Sequence, residues 1–169
     1  MRLISIIALV MVIMGHAFAA DQIQTKLFER MAKIDQFVHD APLFMKGKSL
    51  SELRKLGTLI NERLDKSPSK YITDKIEEYI TLQFDGLEIY GWVRSPEELA
   101  PIRITVTKSH WHILKGLDVG APTEHILQTL DQPTKEMKNI FEYCGETECV
   151  RFYLAEGKIS KVEFIYYAD

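Results

Sequence analysis

The chain has 169 residues, 21 Lys and Arg against 24 Asp and Glu, and a formal net charge of −3. A mildly acidic chain without clustered Lys or Arg has no electrostatic footing for nucleic acid or anionic lipid, so nucleic-acid partners are not expected. No apolar stretch reaches the roughly 20 residues that a helical bilayer span requires, which argues against a membrane span.

Met1 and Arg2 precede an apolar run from Leu3 to Met14 that only Ser5 interrupts, followed by Gly15-His16-Ala17-Phe18-Ala19-Ala20. A positive start, a short apolar core and small residues in an Ala-x-Ala pattern predict a signal peptide over 1–19, cleaved after Ala19 with Ala20 as second choice. Removing Arg2 leaves 20 basic and 24 acidic residues, a net charge of −4. No cysteine follows the cleavage site, so the mature chain is expected to carry no lipid and to work in the periplasm or beyond the cell. The stretch 20–169 suits a single α+β domain.

Ile23, Leu27, Met31, Ile34 and Val38 recur at helical spacing, with Phe28 and Phe37 widening the stripe, and predict a helix ending at Ala41-Pro42. Ser49 and Glu52 form a capping-box signature for a second helix, whose face would be Leu53, Leu56, Ile60 and Leu64 and whose stop is Ser67-Pro68. Gly57 inside it costs about 1 kcal/mol relative to Ala and suggests close packing there. Tyr71 to Glu78 reads as helix or strand. From Tyr79 the pattern alternates, and Asp85-Gly86, a pair suited to two positive φ angles, predicts a hairpin returning through Leu87 to Val93. Ser95-Pro96-Glu97-Glu98 reads as a single helical turn, with Ser as cap and Pro first. A strand follows around Ile102, Ile104 and Val106, and a short helix within Gly120 to Leu130. Three strands close the chain, at Asn139 to Cys144, Cys149 to Ala155 and Lys158 to Tyr167, with Glu156-Gly157 turning the last pair. The expected architecture is α+β: N-terminal helices packed on one face of an antiparallel sheet of five to six strands. The stretches 80–90 and 150–160 echo one another. Either the chain is a diverged tandem repeat with subdomains 20–110 and 111–169, or two hairpins simply look alike.

Cys144 and Cys149 flank Gly145-Glu146-Thr147-Glu148 between two alternating segments. In an oxidising compartment they are expected to bridge the loop, contributing about 2 kcal/mol on chain-entropy grounds. The competing readings are a metal half-site and a redox pair, and neither has the usual Cys-x-x-Cys spacing.

The run from Gly116 through Asp131-Gln132-Pro133 to Phe141-Glu142-Tyr143, Val150-Arg151-Phe152, Gly157-Lys158-Ile159 and Val162-Glu163-Phe164 resembles a module of small bacterial envelope proteins. These are the outer-membrane-assembly lipoproteins of the SmpA/OmlA type and the secreted beta-lactamase-inhibitor proteins, which share a capped helix, a Leu-Gly-x-Pro stop and a hairpin. The resemblance covers about fifty residues. Asp131 stands where that pattern has Gly, and the lipid-bearing cysteine of the assembly lipoproteins is absent. What the resemblance implies is a non-catalytic protein that binds another envelope or secreted protein through a sheet or loop face.

No catalytic constellation is visible. Both cysteines are expected in a bridge, no Gly-x-Ser-x-Gly elbow or glycine-rich phosphate loop occurs, and Glu77-Glu78 and Glu97-Glu98 read as solvated pairs. No cofactor is implied. Amphipathic aromatics are favoured interface anchors, and the candidates are Tyr90, Trp92, Trp111 and Tyr167, with Gly91 leaving a flat spot for close approach. The alternative is a metal-dependent enzyme or metal carrier. His110 and His112, two apart on a strand, would face one metal, with His125 as third ligand and His39 or a carboxylate as fourth.

Overall fold

The computed structural model describes residues 22, 24–69 and 72–166. The signal-peptide expectation over 1–19 and the anchor candidate Tyr167 therefore lie outside the described residues.

A helix, α1, spans 24–40. Ile34, Phe37 and Val38 from its C-terminal half are buried, whereas Leu27 and Phe28 near its start are 53% and 54% exposed. The apolar stripe thus enters the core along only part of its length. A single helical turn, α2, covers Leu50–Leu53 and carries the full capping box: the Glu52 N–H donates to the Ser49 hydroxyl, and the Ser49 N–H donates to the Glu52 carboxylate at 2.8 Å. That bond and the Ser49 contacts hold the Glu52 carboxyl below its usual range.

The expected second helix ends there. Instead, Leu59–Pro68 forms a strand, β1, paired antiparallel with β2, Ile76–Phe84. The spacing of Leu53, Leu56, Ile60 and Leu64 suits a helix, but Gly57 and the β-branched Thr58 and Ile60 oppose continuation. Pairing with the nine residues of β2 then decides the outcome. The hairpin returns through β3, Leu87–Ser95, and β4, Glu98–Val106. Ser95 to Glu98 is therefore the turn between two strands and not a helical turn. At the β2–β3 hairpin only Gly86 has positive φ, whereas Glu156 and Gly157 both do at the later turn.

After a short 3-10 turn at Leu114–Gly116 comes α3, Thr123–Leu130. Its C-cap Asp131 sits at φ 62° and ψ −151°, a region that favours glycine. Four strands follow: β5 Lys135–Met137, β6 Ile140–Cys144, β7 Glu148–Ala155 and β8 Lys158–Tyr166. All eight strands join one antiparallel sheet in the order β1-β2-β3-β4-β8-β7-β6-β5. The fold is α+β, with eight strands among the described residues instead of five or six. The additions are β1, taken from the expected helix, and the three-residue β5, too short to show a period.

The order reveals two four-strand meanders joined where β4 meets β8 through Arg103–Ile165, Ile104–Phe164, Thr105–Glu163 and Val106–Val162. The first residue of α2 donates its N–H to the carbonyl of Glu97, and the first residue of α3 donates to that of Gly157. Both acceptors are the second residue of the turn before the last strand of their meander. Meander for meander, the β2–β3 turn corresponds to the β6–β7 turn. The echoing stretches 80–90 and 150–160 instead occupy the β2–β3 and β7–β8 hairpins, so their alignment is one hairpin out of phase with the topology.

One row of side chains runs across six strands: Leu82, Ile89, Ile104, Phe164, Val150 and Tyr143, each opposite the next. All six are fully buried, and they share one cluster with Ile34, Phe37 and Val38 of α1, Leu50 and Leu53 of α2, and Ile126 and Leu130 of α3. Full burial of an aliphatic or aromatic side chain contributes about 1.5–3 kcal/mol, so this row anchors the sheet.

Candidate functional site

Strand alternation sends the residues between these core positions to the opposite face. On the first meander, counting outward from the β2–β3 turn places Thr81 opposite Tyr90 and Tyr79 opposite Trp92. Tyr79 and Tyr90 stack with ring centroids 6.0 Å apart and planes 20° apart. Arg103, opposite Tyr90 on β4, holds its guanidinium 5.9 Å from the Tyr90 ring centroid. Lys75 and Arg94 approach the Trp92 ring at 5.5 and 5.6 Å. The result is a half-exposed aromatic strip overlaid by cations. Its charges are only loosely tied: Arg103 to Glu88 at 3.6 Å and Arg94 to Glu98 at 3.5 Å, all four side chains well exposed.

The same face of the second meander is built otherwise. Arg151 bonds Glu142 and lies 3.6 Å from Glu163; the Tyr153 hydroxyl donates to Glu163 at 3.0 Å. Lys161 sits 3.5 Å over the Tyr153 ring and 4.0 Å from Glu163. Arg151 is held further into its charged form by the Glu142 bond. These groups answer one another.

Cys144 and Cys149, opposite each other on β6 and β7, form a disulfide with Cα atoms 4.1 Å apart. Asp35 of α1 caps the loop they close. Its carboxylate accepts the N–H groups of Glu146 at 2.8 Å, Thr147 at 3.3 Å and Glu148 at 2.9 Å. A Cβ at Gly145 would come within 2.2 Å of that carboxylate, so any larger residue there would have to push Asp35 out of its seat on the loop. Burial raises the carboxyl pKa of Glu148, His39 opposes and Asp35 assists, and its Oε2 has no hydrogen-bond partner among the described residues. Burial likewise pushes the Tyr166 hydroxyl well above the phenol range and that of Tyr143 to about 12. The Tyr166 hydroxyl donates to the Val38 carbonyl and that of Tyr143 to the Asp131 carbonyl.

The candidate anchors separate. Tyr90 and Trp92 share the aromatic strip. Trp111 does not join them: it is 8% exposed, packs on Phe44 and Phe84, and donates its indole N–H to the Asp85 carbonyl at 2.8 Å. Sequence alternation could not show this, because residues after Val106 leave the sheet. Gly91 is no landing place either, since a Cβ there would meet the Ala100 carbonyl at 2.5 Å and Leu99 at 2.9 Å. The strand β4 fills the space that a partner was expected to use.

His110 and His112 lie in a loop beyond β4 instead of on a strand. His110 rests against the Trp111 ring, His112 bonds Asp118 at 3.2 Å, and His125 lies beside Gly116. Among the described residues no three His, Cys, Asp or Glu side chains converge as metal ligands. Tyr79, Arg103 and Asp35 were not anticipated. Register counted from the Asp85-Gly86 turn finds Tyr79 opposite Trp92; Arg103 depends on the β3–β4 pairing, whose register shifts twice, and no local signal marks Asp35, whose loop lies over a hundred residues away.

A groove of about 580 Å³ runs between α2 and the first three strands, lined by Leu50, Arg54, Leu64, Ile76, Ile80 and Val93, and reaches Trp92 of the strip. Among the described residues no helix is long and apolar enough to cross a membrane. Compared with family models, curated proteins and solved structures, the chain matches none of them significantly.

Proposed function

We propose that this chain is an exported, non-catalytic protein-binding module of the inhibitor, immunity or envelope-assembly accessory type, acting in the periplasm or outside the cell once residues 1–19 are removed. The observation that carries the reading is the aromatic strip of Tyr79, Tyr90 and Trp92 with Arg103, Arg94 and Lys75 over its rings. Rigid aromatic and Arg side chains that stay half exposed are the residue types on which interface energy concentrates. The helices cover the opposite face of the sheet in this reading, leaving the strip for a partner with an acidic rim. The matched bonds from Leu50 to Glu97 and from Thr123 to Gly157 support descent from a duplicated helix-plus-meander unit.

The test is affinity capture from an envelope extract with the wild type and with a Tyr90→Ala/Trp92→Ala pair. The wild type is expected to retain one stoichiometric protein, and the pair to lose it while melting within about 2 °C of wild type. Recovery of no stoichiometric protein, or equal recovery by both, would end this reading.

A further inference from the structure

Edge strands present unpaired backbone groups and are usually short, bulged or blocked by charge. The edge at β1 is ten residues long, with its one irregularity at Ile60, and from Asn61 to Pro68 it pairs with β2 without interruption. Every residue after Leu59 in this strand is exposed.

The charges along it are arranged with an internal symmetry. The central run is Glu62-Arg63-Leu64-Asp65-Lys66. When an antiparallel copy is laid against it with Leu64 facing Leu64 of the second copy, Glu62 faces Lys66 and Arg63 faces Asp65, each twice. Asn61 faces Ser67 beyond them. The nearest slips that keep every side chain on its own face centre the pair on Arg63 or on Asp65. Those registers set Arg63 against Arg63 or Asp65 against Asp65, so of these three only the one centred on Leu64 is free of like-charge opposition.

The contacts within the chain extend the pattern. Glu62 already meets Arg54 at 2.8 Å, and Lys66 meets Glu78 at 2.6 Å. Across the two-fold, the row would read Arg54, Glu62, Lys66 of the second copy, Glu78 of the second copy, alternating in sign throughout. On the other face, Arg63 and Asp65, 2.9 Å apart, would meet the same pair reversed, giving a ring of four alternating charges. Leu64, 50% exposed, would lie against its own copy. The grooves bordered by Leu64 and Ile76 would then face each other across the two-fold.

We propose that β1 is a self-recognition edge, and that two copies of this chain pair antiparallel through it about Leu64 to continue the sheet across a two-fold axis. The arrangement is isologous and closes at two copies, because each sheet offers this edge once and its other edge is only the three-residue β5. It is independent of the aromatic strip, so either proposal can fail alone.

Sedimentation velocity of the purified protein, from about 1 to 500 μM at low salt, should show a monomer–dimer equilibrium that weakens as salt screens these exposed charges. Asp65→Arg, which sets Arg against Arg63 of the second copy, should weaken dimerisation at least tenfold. The double variant Arg63→Asp/Asp65→Arg restores every opposition and should return within about threefold of wild type. Leu64→Cys should give a reducible covalent dimer, because directly opposed residues lie about 4.5–5.5 Å apart between Cα atoms, whereas Asn61→Cys should not. A monomer across the whole range overturns the proposal. So does a dimer indifferent to Asp65→Arg, or a folded double variant that fails to recover.

Discussion

The two meanders share a plan and differ in finish. Each has four antiparallel strands preceded by a helix whose first N–H bonds the turn before the final strand. The second meander closes on itself: Arg151, Glu142, Glu163, Lys161 and Tyr153 engage one another, a disulfide pins the β6–β7 hairpin, and Asp35 seals its loop. The first has close ion pairs along β1, but leaves a long edge and an aromatic strip whose overlying Arg94 and Arg103 reach their carboxylates at 3.5 and 3.6 Å. The lesson is a division of labour within one plan. Groups that satisfy each other rigidify the second half, whereas the proposed binding role rests on the half-exposed rings and cations of the first.

Substitutions can break or sharpen this contrast. The largest expected effect is at the one tight point of the first meander. Gly91→Ala forces a methyl against the Ala100 carbonyl and should cost about 3 kcal/mol in denaturant unfolding. A cost below about 1 kcal/mol would show that β4 yields there, and that the first meander is loose in its core as well as at its surface. Next comes the seal on the second. Asp35→Ala leaves three N–H groups of the 145–148 loop without their acceptor and should cost about 2 kcal/mol, discounted because part of the loop is solvated. Amide exchange should accelerate in the loop and leave Tyr79 to Trp92 unchanged. If the first meander loosens equally, the finish of the two halves is not separable.

Asp131→Gly acts in the opposite direction. At φ 62° and ψ −151° an Asp is strained, and glycine should gain about 1 kcal/mol, less the loss of a 3.8 Å contact with Lys33 whose partners are both exposed. A loss of stability would show that this contact outweighs the backbone. The smallest effect is a pH dependence. The folded pKa of Glu148 lies above its unfolded value, so folding favours its protonated form. That contribution is complete below the ordinary carboxylate range and is lost as pH rises through the folded pKa. Glu148→Gln should therefore raise the melting temperature at pH 7 by about 1–2 °C and leave it unchanged near pH 4. Equal gains at both pH values would assign the effect to something other than titration.

Much of the scaffold was legible. The hairpin at Asp85-Gly86, the closing turn at Glu156-Gly157, the bridge between Cys144 and Cys149 and the alternation of both meanders follow from local chemistry. The helix expected from Ser49 to Ser67-Pro68 stops after its first turn because a 3-4-4 spacing of four apolar residues also fits one face of a short helix plus one face of an edge strand. Pairing with β2 is a tertiary fact. Trp111 misled for a related reason: an aromatic between two histidines looks like a surface feature until the loop folds it over Phe84. The aromatic strip was half visible through Tyr90 and Trp92. Tyr79 and Arg103 complete it only through register, and register needs the turn counted on both sides.

The order of strands has a consequence for how the molecule is made. β8, the last of the described strands, lies between β4 and β7 in the middle of the sheet. Until Lys158–Tyr166 has left the ribosome, β4 and β7 both lack a neighbour, and the buried row from Leu82 to Tyr143 has a gap where Phe164 belongs. Closure then joins residues some sixty positions apart, a slow step by loop entropy. A nascent chain of this design keeps its sheet open at the centre until that strand arrives, so the core cannot close in the order in which its strands are made.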